Sequence, residues 1–137
     1  MKSVTIQAMS VLVSTIYGEA EGESYVGKCA VAEVIVNRAN DPAKRWSEDV
    51  AEVCLQPHQF ECWSKVVRRR AIEKATLGSS VLRDCYAAVL EIGLKPARVP
   101  GANHFLTTAL WLGGRRPRWS KSMKVVKHIG GHVFLEG

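Results

Sequence analysis

A chain of 137 residues with 47% apolar content can bury one core and is too short for two ordinary domains, so residues 1–137 are expected to form a single domain. Its 19 Lys and Arg against 13 Asp and Glu give a formal charge of +6, which favours polyanionic partners, nucleic acid and bacterial envelopes among them. With 23% charged residues, no Ser, Gly or Pro tract and no internal repeat, the composition excludes disorder; no apolar run reaches the roughly 18 residues of a transmembrane helix.

The N-terminal stretch "MKSVTIQAMSVLVSTIYGEA" begins like a signal peptide, but Gln7, Ser10, Ser14 and Thr15 interrupt it and no small-x-small site precedes the glutamates. It is read as part of the mature fold, without a signal peptide. Met9, Leu12, Val13, Ile16 and Ala20 follow helical spacing, predicting a helix from Val4 to Ala20 that Gly22 ends. Within "TIYGEAEGES", Glu19, Glu21 and Glu23 recur at every second position, and a helix turns by roughly 200° per such step. Glu19 then falls about 20° from Leu12, at the edge of the apolar stripe, while Glu21 lies about 120° from Met9, toward water.

In "ESYVGKCAVAEVIVNRAND", Ser24 is the expected N-cap of a second helix that is apolar nearly all round, the mark of a buried central helix. Asn40, Asp41 and Pro42 stop it. Glu33, inside it, is either the partner of a buried cation or an exposed edge residue, and the second reading is preferred. "SEDVAEVCLQ" predicts a short helix capped by Ser47, leading into the loop "QPHQFECW". A weak, basic helix is expected from Trp63 to Leu77, ended by Gly78, with Arg68, Arg69 and Arg70 on a solvated face. "SSVLRDCYAAVLEIG" is a strong helix capped by Ser80 and stopped by Gly93.

The last third changes character. "ANHFLTT" reads as a strand, "MKVVKHIGGHVFLEG" as two β segments about a Gly130–Gly131 turn, and "LWLGGRRPRWSK" as a cationic loop with two tryptophans. The expected architecture is α+β, a mainly helical body with a small C-terminal antiparallel sheet. Cys29, Cys54, Cys62 and Cys85 form no CxxC pair, and no histidine–carboxylate set has metal-ligand spacing, so no metal and no cofactor are expected. Cys29 and Cys85 read as buried thiols; Cys54 and Cys62 flank a loop and are close enough in sequence to pair.

Taken together, "IYGEAEGESYVGKCAVAEVIVNR", "QFECW", "GANHFLT", "RWSK" and "IGGHVF" resemble the SleB-like spore cortex-lytic family of cell-wall hydrolases over nearly the whole chain. The resemblance implies a lysozyme-like helical fold with a small sheet. It implies cleavage of peptidoglycan between N-acetylmuramic acid and N-acetylglucosamine by the lytic transglycosylase route, with a hydrolytic muramidase as the alternative. The glutamate after Tyr17 and Gly18 becomes the catalytic acid, Glu19, and Glu23 a supporting carboxylate; Glu21 stands where the family often has a basic residue. The chemistry agrees, because a glycosidic oxygen leaves only when protonated, and partial burial keeps a carboxylic acid protonated.

Tyr17, Gln59, Phe60, Trp63 and His104 are the expected substrate-binding residues. Gln59 offers an amide for N-acetyl groups, while Phe60 and Trp63 offer flat faces for pyranose rings or, equally, pack in the core. His104 receives more weight as a groove residue than His132. The expected partners are peptidoglycan glycan strands and anionic envelope polymers, with no nucleic acid, no membrane span and a monomeric state. Such a leaderless, basic, single-domain wall enzyme resembles a phage lysin, expected to be released from the cytoplasm by a holin, carried in the phage particle, or exported from a longer precursor. The rivals are a basic nucleic-acid-binding domain, which leaves "YGEAEGE" unexplained because carboxylates repel phosphates, and a peptidoglycan-binding module without activity.

Overall fold

The computed structural model describes residues 1–64 and 80–137. The arginine run at 68–70 and most of the helix expected from Trp63 to Leu77 lie outside the described residues. Helix α1, Ile6–Ala20, begins where the Thr5 side chain accepts a hydrogen bond from the Ala8 N–H at 3.0 Å. It buries Leu12, Val13, Ile16 and Ala20 of the expected stripe, with Met9 only partly buried, together with Ala8, Thr15 and Gly18. Helix α2, Tyr25–Ala39, is capped by Ser24 as expected, whose hydroxyl accepts from the Gly27 N–H at 3.2 Å.

α2 is the axis of the molecule, and three of its buried side chains are charged: Lys28, Glu33 and Arg38. Buried charges persist only when paired or hydrogen-bonded, and each of these fastens a different link to the central helix. The Lys28 ammonium donates to the carbonyls of Glu21 and Glu23, holding the α1–α2 connection. Glu33 accepts from the backbone N–H groups of Arg98 at 2.8 Å and Val99 at 3.0 Å. Arg38 donates to the Asn103 carbonyl at 2.7 Å and to the Gln59 side chain at 3.3 Å. Glu33 is therefore not the exposed edge residue that the sequence suggested. Its partners lie 65 and 66 residues away, beyond any periodicity.

Helix α3, Val50–Leu55, is capped by Asp49, which accepts from Ala51 N–H at 2.8 Å, rather than by Ser47. Ser47 instead accepts from the Asp49 N–H and donates to Glu52. A four-residue helix, α4, covers Glu61–Ser64. Helix α5, Ser80–Glu91, packs on α1 and α2 through Leu82, Cys85 and Ala88.

Strand β1, His104–Thr107, leads into a short helix α6, Thr108–Leu112, and a 3-10 turn at Arg118–Ser122. The stretch expected to be a loop thus holds two helical turns, the first capped by the Thr107 hydroxyl. Strands β2, Lys124–Ile129, and β3, His132–Glu136, are joined through Gly130, whose φ of +54° suits glycine. The sheet is antiparallel in the order β1-β3-β2. Phe105 and Phe134 face the helical core, whereas Leu106, Val133 and Leu135 face a second, smaller core that Trp111 and Met123 cover. All four cysteines are buried and none is in a disulfide, so Cys54 and Cys62 are not joined.

Candidate active site

The first of the three glutamates closes the last turn of α1. Glu19 is half-buried, and its Oε1 accepts a hydrogen bond from the backbone N–H of Cys62 at 3.1 Å. One turn earlier on the same helix face, Thr15 is fully buried; its hydroxyl donates to the Val11 carbonyl at 2.7 Å and accepts from the Trp63 indole N–H at 2.9 Å. These two bonds dock α4 on α1 and bring "YGEA" against "QFECW", segments 43 residues apart at the Glu19–Cys62 bond. The half-buried Trp63 has its polar edge committed to Thr15.

Glu21 is exposed, on the side of α1 that the sequence assigned to water. Tyr17 goes with it: burial first, then the charge of the neighbouring Glu21 carboxylate, raise its pKa. With Glu21 and Cys85 as its neighbours, Tyr17 lies on the far side of the helix from Glu19 and is not gathered with it.

Glu23 reaches the sheet. Its Oε1 accepts from the Gly131 N–H at 2.8 Å and stands 3.5 Å from Nδ1 of His132. The turn wraps this carboxylate so closely that a Cβ on Gly130 would sit 2.8 Å from Oε1. The hairpin glycines thus serve twice, in the turn and in admitting Glu23.

Arg38 organises the other side. Its guanidinium carbon lies 5.3 Å from the ring centres of both Trp46 and Phe60, a cation–π arrangement with two partners. Burial lowers its pKa to about 10, which leaves it charged at neutral pH. Phe60 is 3% exposed and tilts against Phe105 at 6.4 Å, so it is part of the core beneath the site. Gln59 is exposed, with its Oε1 oriented by Arg38.

His104 is half-buried between Trp46 (5.7 Å) and Trp119 (5.2 Å). Its Nδ1 is 2.8 Å from Asn103 Oδ1, an oxygen that also accepts from the Gly137 N–H, so Nδ1 carries the proton. Burial first, then the charges of Arg38 and Arg45, lower its pKa to about 4.

The structure therefore gathers Glu19, Trp63, Gln59 and Phe60 around the docked α4 and places Glu23 with His132 at the hairpin. His104 extends the row of rings through Trp46 to Arg38. Sequence reasoning passed over Arg38 and ranked His132 below His104. The available signal for His132 was parity, since it shares with Phe134 the side of β3 that faces the helices. A separate cavity of about 250 Å³ is lined by Cys29, Glu33, Glu91, Arg98 and neighbours and contains neither Glu19 nor Glu23. Its polar groups are mutually paired, Glu91 accepting from Tyr25 at 2.7 Å and from Arg98 at 3.0 Å.

Among the described residues no cluster of His, Cys, Asp and Glu fits a metal ion, and no helix is long and apolar enough to cross a membrane. The chain is 30% identical over 128 residues to the spore cortex-lytic enzyme of Halalkalibacterium halodurans, covering 92% of this chain and 34% of that one. To the spore cortex-lytic enzyme of Bacillus subtilis it is 31% identical over 129 residues, covering 91% and 36%. It spans about a third of the length of both relatives. The fold matches the catalytic domain of the germination-specific lytic transglycosylase SleB from Bacillus anthracis with a TM-score of 0.75 at 22% identity, covering 99% of each chain. The Bacillus cereus SleB catalytic domain gives 0.76 at 22% identity, covering 99% of this chain and 94% of that one. The sequence pattern of the cell wall hydrolase family matches residues 22–135, and to that family the chain belongs.

Proposed function

We propose that this chain cleaves peptidoglycan glycan strands between N-acetylmuramic acid and N-acetylglucosamine as a lytic transglycosylase, with Glu19 as its acid and base. The observation that carries the reading is the pair of unequal carboxylates. Glu19 is half-buried at the end of α1 with one oxygen held by the Cys62 amide, while Glu23 has its Oε1 tied to the hairpin at Gly131. Family membership supports the substrate, and the relatives described as cortex-lytic enzymes and lytic transglycosylases support the reaction class.

In this reading the Glu19 carboxylic acid donates its proton to the glycosidic oxygen as the bond from that oxygen to the muramic acid C1 breaks, freeing the 4-hydroxyl of N-acetylglucosamine. The muramic acid 6-hydroxyl then bonds to C1, and its proton passes to the Glu19 carboxylate, regenerating the acid. The product carries a 1,6-anhydro ring and no water is consumed. Trp63 and Gln59 would contact the glycan, with Arg38, Phe60 and His104 supporting them from behind.

Mass spectrometry of digested peptidoglycan tests this, because an anhydro end is lighter by one water than a hydrolytic one. Anhydro muropeptides are expected. Fragments ending only in reducible muramic acid would replace the transglycosylase by a hydrolytic muramidase, with Glu23 as the second carboxylate. Tight, saturable DNA binding at physiological salt without wall lysis would overturn the enzyme reading.

A further inference from the structure

His132 opens β3 directly after the Gly130–Gly131 turn and is 9% exposed. Its Nδ1 is buried and, among the described residues, has no hydrogen-bond partner. A buried polar nitrogen without a partner is costly and calls for an explanation. The ring stands edge-on to Phe105 at 5.0 Å and to Phe134 at 6.1 Å, which fixes its plane. The carboxylate it faces is Glu23, with Oε1 at 3.5 Å, beyond hydrogen-bond length. That same oxygen accepts from the Gly131 N–H at 2.8 Å.

We propose, building on the glycan-cleaving function given above, that His132 is a positioning residue for Glu23. The neutral ring leaves the carboxylate with Gly131, and the protonated ring captures it as an ion pair. A protonated imidazole donates from both nitrogens, and a charge-assisted bond settles at about 2.8 Å. Closing the gap draws Glu23 Oε1 toward the ring and away from the turn amide. One proton therefore selects between two placements of a carboxylate that shares the site with Glu19.

The surroundings set where this happens. Burial disfavours the charged ring, and the charges of Glu23 and then Glu19 oppose it without cancelling it, so the pKa lies below the ordinary histidine value. Glu19 faces the ring from α1 and Glu23 from the α1–α2 link, while Lys28 on α2 is bonded to the backbone carbonyls of Glu21 and Glu23. On β2, His128 pairs with Val133 and so belongs to the opposite face, and β1 presents Thr107 across from His132. The neutral state holds at neutral pH and the captured state forms in mild acid.

The test has two arms. Wall-lysis rates of the wild type, His132→Asn and His132→Phe are followed from about pH 7 to about pH 4, each normalised to its own maximum. The wild type is expected to lose activity on the acid side, and the variants to keep theirs to lower pH by about one unit. A folded variant with the wild-type acid limb overturns the proposal. Independently of activity, NMR titration of the His132 ring is compared between wild type and Glu23→Gln, whose amide oxygen still accepts from Gly131. The variant's midpoint is expected to fall, because the opposing carboxylate charge is gone; an unchanged midpoint overturns the pairing. A wild type that releases no glycan fragments at any pH removes the glycan-cleaving reading, while the NMR arm still decides whether His132 and Glu23 are coupled.

Discussion

At the scale of single residues, the three glutamates of "TIYGEAEGES" divide into one held by an amide, one in water and one tied to a hairpin. Glu19→Gln is expected to keep the Cys62 N–H bond, since the amide oxygen can accept it, and to lower the lysis rate by about 10² to 10⁴, the usual loss when a general acid is removed. Glu21→Gln is expected to stay within about threefold, because its exposed charge is screened by solvent. A folded Glu21 variant without activity, or near-normal lysis by the Glu19 variant, would move the chemistry elsewhere. His104 carries a different prediction. Its folded pKa of about 4 lies below the ordinary histidine value of 6.5, so in that window the unfolded chain binds a proton that the folded one does not, and stability falls as pH drops through it. Asp41 and Glu91, held at about 2 by Arg45 and Lys95 respectively, contribute stability that is lost only as pH falls further, toward 2. Urea unfolding at a series of pH values is expected to show a shallower decline for His104→Phe, which keeps a ring between the two tryptophans and cannot take the proton. The separation of Glu19 from Glu21 was legible in the sequence because it depends only on the helical period. The nearness of His132 to Glu23 was not, because it depends on how a hairpin folds back onto the α1–α2 link.

At the scale of elements, the helix boundaries and the hairpin are written in local chemistry: Ser24 caps α2, Asn40 ends it, and two glycines turn β2 into β3. What local chemistry does not reveal is the set of links clipped to α2 by Lys28, Glu33 and Arg38. Glu33→Ala leaves two backbone N–H groups, those of Arg98 and Val99, without their acceptor, and is expected to cost about 2 to 3 kcal/mol. Denaturant unfolding measures it, and a loss near zero would mean that water replaces the carboxylate. Gly130→Ala tests the hairpin. The positive φ costs about 1 to 2 kcal/mol, and the new Cβ displaces the Glu23 carboxylate from a position 2.8 Å away. Wall lysis is expected to fall by more than the stability loss explains, and full activity would detach Glu23 from the site. The helical turns at Thr108–Leu112 and Arg118–Ser122 escaped the sequence reading because Gly and Pro punctuation, with Gly113, Gly114 and Pro117, masks segments only five residues long.

At the scale of the molecule, the α+β layout was legible because helical and strand periodicities occupy separate thirds of the chain. The +6 charge is expected to act at long range, with exposed Arg115, Arg116, Arg118, Lys121 and Lys124 concentrated on one stretch. Lysis of intact walls is then expected to slow between 0.1 M and 1 M salt, as the Debye length shrinks from about 10 Å to about 3 Å. An unchanged rate would assign that charge another purpose. The four buried, unbridged cysteines turn the protein into its own set of clocks. Burial holds the thiols of Cys54 and Cys85 up at about 12 and about 11, and raises that of Cys29 as well. A disulfide reagent must therefore wait for the surrounding segment to open. Cys62, whose own amide holds Glu19, times the departure of α4 from α1, while Cys29 and Cys85 time the parting of α2 from α5. The order in which the four react tells whether the contact of α4 with Glu19 loosens on its own or only when the whole body comes apart.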